Sequence, residues 1–200
     1  MAWKDLTAKT FSSIRELNGI SQRTQEEHYE LYKGYIGKTN EIQKKLDTVD
    51  RSTANQIFSD LRSLRVDLSF AIGGVKNHEI FFSHLGGKGG QPQARTLELI
   101  NRDFPSYDAW LADFKASGLA ARGWVWLAYD HDLGSLTTAV GDAQNTFPVW
   151  NATPILAMDV YEHAYFGDYL TDRGSYIDAF FRNLDWNVVN DWVAKYQIPA

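Results

Sequence analysis

The chain has 200 residues, 44% of them hydrophobic, with 7 Trp, 10 Tyr and 11 Phe, no cysteine and a formal net charge of −5. Such a length suits one compact domain or two small lobes that bury roughly 70% of the unfolded chain's surface. Without cysteine there are no disulfides, thiolate-bound zinc, iron–sulfur clusters or cysteine nucleophiles, and the acidic balance argues against a nucleic-acid partner. The first twenty residues mix Lys4, Asp5, Lys9, Arg15 and Glu16 among apolar positions, so they hold no signal-peptide core. No stretch reaches the ~20 apolar residues of a membrane span. A soluble, cytoplasmic protein that does not engage a membrane is expected.

From Ser21 to about Val49 the pattern is polar with periodic Leu31, Ile36, Ile42 and Leu46, and Leu31, Tyr35 and Ile42 fall near one helical stripe. Asp50, Ser52 and Thr53 offer caps for a second helix from about Ala54 to His84, where Ile57, Leu61, Leu64, Leu68 and Ile72 recur at helical spacing. Two long helices with a short link predict an antiparallel hairpin. Gly86-Gly87-Lys88-Gly89-Gly90-Gln91-Pro92 reads as a flexible turn between lobes; it lacks the spacing of a phosphate-binding loop. Residues 93–120 look helical, with a break at Phe104-Pro105-Ser106 where Ser106 can cap. Residues 123–129, 135–140 and 154–160 read as strands, the first two joined by a turn at Gly134, and residues 175–195 as a closing helix. The predicted fold class is α+β: a helical hairpin domain over residues 1–88, then an α+β domain over residues 89–200 with a small antiparallel three-stranded sheet.

The 5 histidines are the natural place to look for chemistry. Asp159 closes an apolar strand, where a charged carboxylate is costly unless paired or coordinated. His163 follows four residues later. Two readings stay open: an aspartate capping the next turn beside a packed histidine, or part of a metal site. His78 ends the second predicted helix just after Gly73-Gly74, and two mid-helix glycines cost roughly 1 kcal/mol each relative to alanine, which points to close packing against another helix or a metal site. His28 lies on the first helix. His84 and His131 lie near loops and are assigned no chemistry.

At this point the ordered motifs resemble the iron/manganese superoxide dismutases over nearly the whole chain. Asp159-Val160-Tyr161-Glu162-His163-Ala164-Tyr165 is similar to the family signature Asp-x-Trp-Glu-His-Ala-Tyr. Asn77-His78 with Phe81 is similar to its second-helix ligand motif, Gly123-Trp124-Val125-Trp126-Leu127 to its Gly-Trp-x-Trp-Leu strand, and His28-Tyr29 followed by Tyr35-Ile36 to its first-helix motif. Tyr169, Arg173 and Asp185-Trp186 follow the C-terminal pattern, with Asp185 in place of the usual Asn. The resemblance implies that His28, His78, Asp159 and His163 ligate one manganese or iron ion per subunit. Three imidazoles and a carboxylate, with a fifth position for water, suit those metals better than zinc. It further implies disproportionation of superoxide to dioxygen and hydrogen peroxide, with Tyr35 as gate tyrosine and proton relay, in a homodimer that brings Glu162 of one subunit to His163 of the other, or a tetramer of paired dimers. The alternative is a superoxide-dismutase-like metalloprotein with another redox substrate or little activity.

The chain also departs from the family pattern. His28 and Tyr35 are seven apart, where the family has eight; seven residues return to within ~20° of the same helix face, so the π-bulge common in this helix is expected to be absent. Tyr32 stands where the gate histidine would be, the one that reaches across the dimer toward the tyrosine matching Tyr165. Phe82 and Tyr161 replace tryptophans, keeping an aromatic wall beside Trp124, and the Tyr161 hydroxyl could enter the hydrogen-bond network. Gly74 occupies the position of the iron enzymes' glutamine, as in manganese enzymes, which send a glutamine from the other lobe; Gln144 or Asn145 could fill that role, or both could be turn residues. Manganese is favoured over iron on this ground. Lys33 and Arg173 are candidate sources of positive charge for an anionic substrate.

Overall fold

The computed structural model describes residues 3–147 and 149–199. Helix α1 spans Gln22–Thr48 and starts where the Ser21 hydroxyl accepts the Thr24 N–H. It runs as α-helix throughout, so the π-bulge is absent as the seven-residue spacing predicts. The buried stripe of α1 is His28, Tyr32, Ile36, Thr39, Ile42 and Leu46, while Leu31 is exposed. The stripe contains enough polar residues that hydrophobicity alone placed Leu31 on the wrong face.

Helix α2 spans Asp60–His84, six residues shorter at its start than the periodicity predicts. The reason is competition from side-chain caps. Asp50 accepts the Ser52 N–H and holds Arg51–Thr53 as a 3₁₀ turn. Asn55 Oδ1 then accepts the N–H groups of Ile57 and Phe58, and the Ser59 hydroxyl caps α2 by accepting the Arg62 N–H. Ser52 and Thr53 therefore cap nothing in α2, and Ile57 lies exposed in the link. The two helices pack along their length as an antiparallel hairpin.

The glycine-rich link is docked rather than loose. Gly86 and Gly87 donate to the Asn183 carbonyl and Gly89 to that of Leu184. Gly89 has φ +63, and a Cβ there would meet the Phe181 carbonyl oxygen at 2.5 Å, so glycine is needed for this approach. Helices α3 (Ala94–Asp103) and α4 (Tyr107–Ala120) follow, and Ser106 caps α4 by accepting the Ala109 N–H.

Strands β1 (Trp124–Asp130), β2 (Ser135–Gly141) and β3 (Ala152–Asp159) form an antiparallel sheet in the order β2-β1-β3. The central β1 is buried along its whole length, which explains why it reads as a continuous apolar run. Register pairs Trp124 with Asp159, so the last residue of β3 faces the first of β1. Short helix α5 (Phe166–Tyr169) leads to α6 (Arg173–Arg182) and α7 (Trp186–Lys195). The single closing helix predicted for residues 175–195 is thus two. Asn183 breaks it by exchanging hydrogen bonds with the Asn18 backbone, and Asp185 caps α7 through the Asn187 N–H. One hydrophobic core runs from Leu17 to Ile198 and joins the hairpin to the sheet; a smaller cluster around Ile42, Leu46, Leu68 and Ala71 fills the far end of the hairpin.

Candidate metal centre

Four side chains from both halves of the fold converge where α1, α2 and the end of β3 meet. Asp159 Oδ2 lies 3.1 Å from His28 Nε2, 3.0 Å from His163 Nε2 and 3.6 Å from His78 Nε2. The potential ligand atoms of these four residues all lie within 4.8 Å of one another. His28, His78 and Asp159 are fully buried, and His163 is partly open.

The tautomer of His78 decides what the centre can bind. Its Nδ1 is 2.7 Å from the Gly74 carbonyl oxygen, which can only accept, so Nδ1 carries the proton. Nε2 is left with a lone pair, buried, without a hydrogen-bond partner and aimed at a carboxylate oxygen. A lone pair facing an anion in a dry site is unfavourable unless a cation lies between them. Fixing one imidazole nitrogen on a backbone carbonyl is also how metal-binding histidines are oriented. The donor set of three imidazoles and one carboxylate therefore fits a manganese or iron ion.

Electrostatics agree. Burial alone would raise the Asp159 pKa, but the charge and hydrogen bonds of His163 and His28 hold it far below the usual carboxylate range. Burial lowers His28, and lowers His78 to about 3, with its neighbour His28 adding to the effect. His163 is also pulled down by burial, but the Asp159 carboxylate overrides this and raises it. Asp159 does double duty: Oδ1 accepts the Tyr161 N–H at 2.9 Å, the turn-capping role that the sequence left open, while Oδ2 faces the histidines. Its backbone carbonyl accepts the Tyr176 hydroxyl at 2.7 Å.

Around the quartet, Phe82 lies with its ring centre 4.9 Å from His28, and Phe81 at 5.0 Å. Trp124 meets His78 edge-on, and Tyr161 stacks on His163 at 5.3 Å. The Tyr161 hydroxyl donates to the Asp142 carbonyl at 3.0 Å, a bond outside the quartet. Tyr35 lies 5.3 Å from the His78 ring. Burial raises its phenol pKa, Asp159 adds to this, and the nearby Gln144 side chain opposes both.

Of the two candidate amides, the structure brings only Gln144 to the centre. It is buried, and its Oε1 accepts the Trp124 indole N–H at 3.1 Å. Asn77 Nδ2 donates to the Gln144 backbone carbonyl at 3.0 Å and reaches its Oε1 at 3.5 Å. With donors on the oxygen side, the amide nitrogen is free to face Tyr35. Asn145 points outward instead, donating to Ser69 Oγ at 2.7 Å, because the turn that buries Gln144 must expose its neighbour.

Tyr32 is fully buried but sits behind the wall. Its hydroxyl donates to Glu79 at 3.0 Å and accepts the Lys9 N–H, which ties the N-terminal segment to α1 and α2. Tyr165 is engaged within its own subunit by Arg173 Nε at 3.2 Å. Arg173 donates to that hydroxyl and to the Ala121 carbonyl, both neutral, so it keeps its positive charge, whereas the charge of Lys33 is offset by its pairing with Glu30. Glu162 is exposed at the rim. A recess of about 660 Å³ opens here onto His28 and His163, flanked by Leu31, Glu162, Phe166 and Leu170.

The residues that sequence reasoning did not assign are Tyr176, which has no local signal because it arrives from α6, and Asn77, whose place beside His78 was the only hint.

A family model described as the C-terminal domain of iron/manganese superoxide dismutases matches residues 92–192. The iron superoxide dismutase of Aquifex pyrophilus is 43% identical over 196 residues, 95% of this chain and 92% of that protein. The chain belongs to the iron/manganese superoxide dismutases. It is therefore an oxidoreductase that disproportionates superoxide to dioxygen and hydrogen peroxide, with iron or manganese as its metal. Relatives of both kinds are found: an iron superoxide dismutase of Cupriavidus metallidurans is 35% identical over 86% of this chain and 87% of its own, and manganese superoxide dismutase 2 of Haloferax volcanii is 33% identical over 84% of each. Among the described residues no helix is long and apolar enough to cross a membrane.

Proposed function

We propose that His28, His78, Asp159 and His163 are the ligands of the dismutase metal, two from each of the lobes 1–88 and 89–200. The observation that carries this reading is the buried, unpartnered Nε2 of His78 facing Asp159. The bound metal supplies a reversible one-electron couple, so that one superoxide is oxidised to dioxygen and a second, with two protons, is reduced to hydrogen peroxide.

The surrounding chain handles position and protons. Asp159 carries the negative charge that the ion needs; the Tyr161 N–H holds its carboxylate and the Tyr176 hydroxyl holds its backbone carbonyl. Gly74 fixes the His78 ring with Nδ1 protonated. Tyr35 keeps its proton on Oη at neutral pH, because burial raises its pKa, and it is the residue placed to pass a proton inward. Gln144 holds Tyr35 through an amide whose own orientation is set by Trp124 and Asn77. Phe81, Phe82, Trp124 and Tyr161 form the aromatic wall that keeps water from the centre. Gln144 reaching in from the far lobe, with Gly74 on α2, favours manganese, while the identity to the Aquifex enzyme supports iron.

The assembly we propose is a homodimer closed over the recess beside His163. Exposed Leu31, Phe166 and Leu170 supply its apolar surface, and Glu162 reaches the partner's copy of His163. In this assembly Tyr32, which stands where the gate histidine would be, stays on Glu79 of its own subunit and does not make the cross-dimer gate contact. The exposed Ile57 and Phe58 at the hairpin tip are the surface on which dimers would pair.

Counting bound metal tests the ligand set. His163→Ala, expressed with manganese or iron, should hold well under one ion per subunit; stoichiometric metal in that variant would refute the assignment.

A further inference from the structure

The adjacent glycines of α2 do different jobs. A Cβ on Gly74 would meet the Tyr35 ring, whereas a Cβ on Gly73 would lie 2.1 Å from the Gln144 backbone carbonyl oxygen and 2.8 Å from its carbonyl carbon. No side-chain rotation can relieve that overlap, because both atoms belong to the main chain. Gly73 sits midway along one stripe of α2. One turn before it, Ser69 Oγ accepts the Asn145 side-chain amide at 2.7 Å; one turn after it, Asn77 Nδ2 donates to the Gln144 carbonyl at 3.0 Å. Residues four apart lie on one helix face, so Ser69, Gly73 and Asn77 form a rail along which the segment after β2 is seated. The two polar residues hold the segment laterally. Gly73 sets its depth, and depth decides whether Gln144 Oε1 meets the Trp124 indole N–H.

We infer that Gly73 is a positioning residue: by lacking a side chain it lets the Gln144 backbone seat directly on α2 and so delivers the Gln144 amide to the metal centre. This rests on the reading of Gln144 proposed above. A glycine chosen only for close helix packing would carry no such consequence for rate.

The test combines a crystal structure of metal-loaded Gly73→Ala with a double-mutant cycle of Gly73→Ala and Gln144→Ala, measuring superoxide turnover and bound metal in every sample. The Trp124–Gln144 hydrogen bond, 3.1 Å here, should be broken in Gly73→Ala. Turnover should fall at least tenfold with metal still near one ion per subunit, and adding Gly73→Ala to Gln144→Ala should change turnover by less than twofold. An intact Trp124–Gln144 bond would overturn the inference, as would an equal loss of rate in both backgrounds. A broken bond with full turnover in both Gly73→Ala and Gln144→Ala would instead uphold the role of Gly73 and sink that of Gln144. Gly37→Ala serves as the control for a helical glycine, since its Cβ would meet nothing within 4 Å. Should Gly73→Ala not fold, Asn77→Ala is read in the same cycle: a broken Trp124–Gln144 bond and a loss of turnover confined to the Gln144 background support the rail, and an unchanged bond contradicts it.

Discussion

The molecule buries four histidines, or nearly so, in two very different ways. His28, His78 and His163 gather on one carboxylate at the junction of α1, α2 and β3. His84, six residues further along α2, is equally buried, yet among the described residues neither ring nitrogen has a partner, and the ring packed on it is that of Trp192. No carboxylate or other charged group acts on it; burial alone lowers its pKa to about 3. Burial therefore does not distinguish a ligand from a packed ring. Convergence on an acceptor does, together with a backbone carbonyl that fixes one nitrogen.

The largest effect should come from removing the shared acceptor. Asp159→Ala takes away the only anion among the ligands and leaves three buried imidazoles facing each other. Metal affinity should fall by more than the 10–100-fold typical of losing a supporting contact, measured by competition with a chelator. Tight metal binding by Asp159→Ala would erase the contrast between the quartet and His84.

The next largest should come from the opposite side. His84→Leu should leave metal content and turnover within about twofold of the parent while changing acid stability. The folded pKa lies below the unfolded value of 6.5, so the unfolded state binds more protons as pH falls. Stability is complete above pH 6.5 and is lost below it at up to about 1.4 kcal/mol per pH unit until the folded pKa near 3 is reached. His84→Leu should flatten that limb in denaturation curves taken between pH 6.5 and 4. A variant that loses metal would make His84 part of the centre.

The smallest effect belongs to a polar group beside the quartet whose hydrogen bond lies outside it. Tyr161→Phe keeps the ring on His163 and loses only the hydroxyl bond to the Asp142 carbonyl. A destabilisation of about 0.5–1.5 kcal/mol by thermal melting is expected, with metal content unchanged.

Much of this was legible in the sequence, for identifiable reasons. The strands are short apolar or branched runs, the first two bounded by glycine, and β1, buried along its whole length, shows as an aromatic-rich apolar stretch. Helix starts were less legible. Asp50, Asn55 and Ser59 each cap something, and only coordinates reveal that Ser59 wins α2. The break between α6 and α7 depends on Asn183 bonding to Asn18, 165 residues away, and leaves no local trace. In the centre, spacing alone gave a carboxylate and a histidine four apart, and the family motifs were needed to gather His28 and His78 with them. The amide could not be chosen from the order Gln144-Asn145, because the choice follows from which residue the turn buries against Gly73. The paired glycines were informative from the start, since their helix cost implied a close approach, and the approaching groups are Tyr35 and Gln144.

With Phe82 and Tyr161 rebuilding the wall, and Tyr32 behind it where the family's gate histidine would be, the chain still surrounds a working dismutase centre. The most direct test is the rate of superoxide dismutation by the purified protein loaded separately with manganese and with iron, with bound metal counted in the same samples. Fast turnover with near one ion per subunit, for at least one of the two metals, is the predicted result. Full loading with both metals and negligible turnover would contradict it.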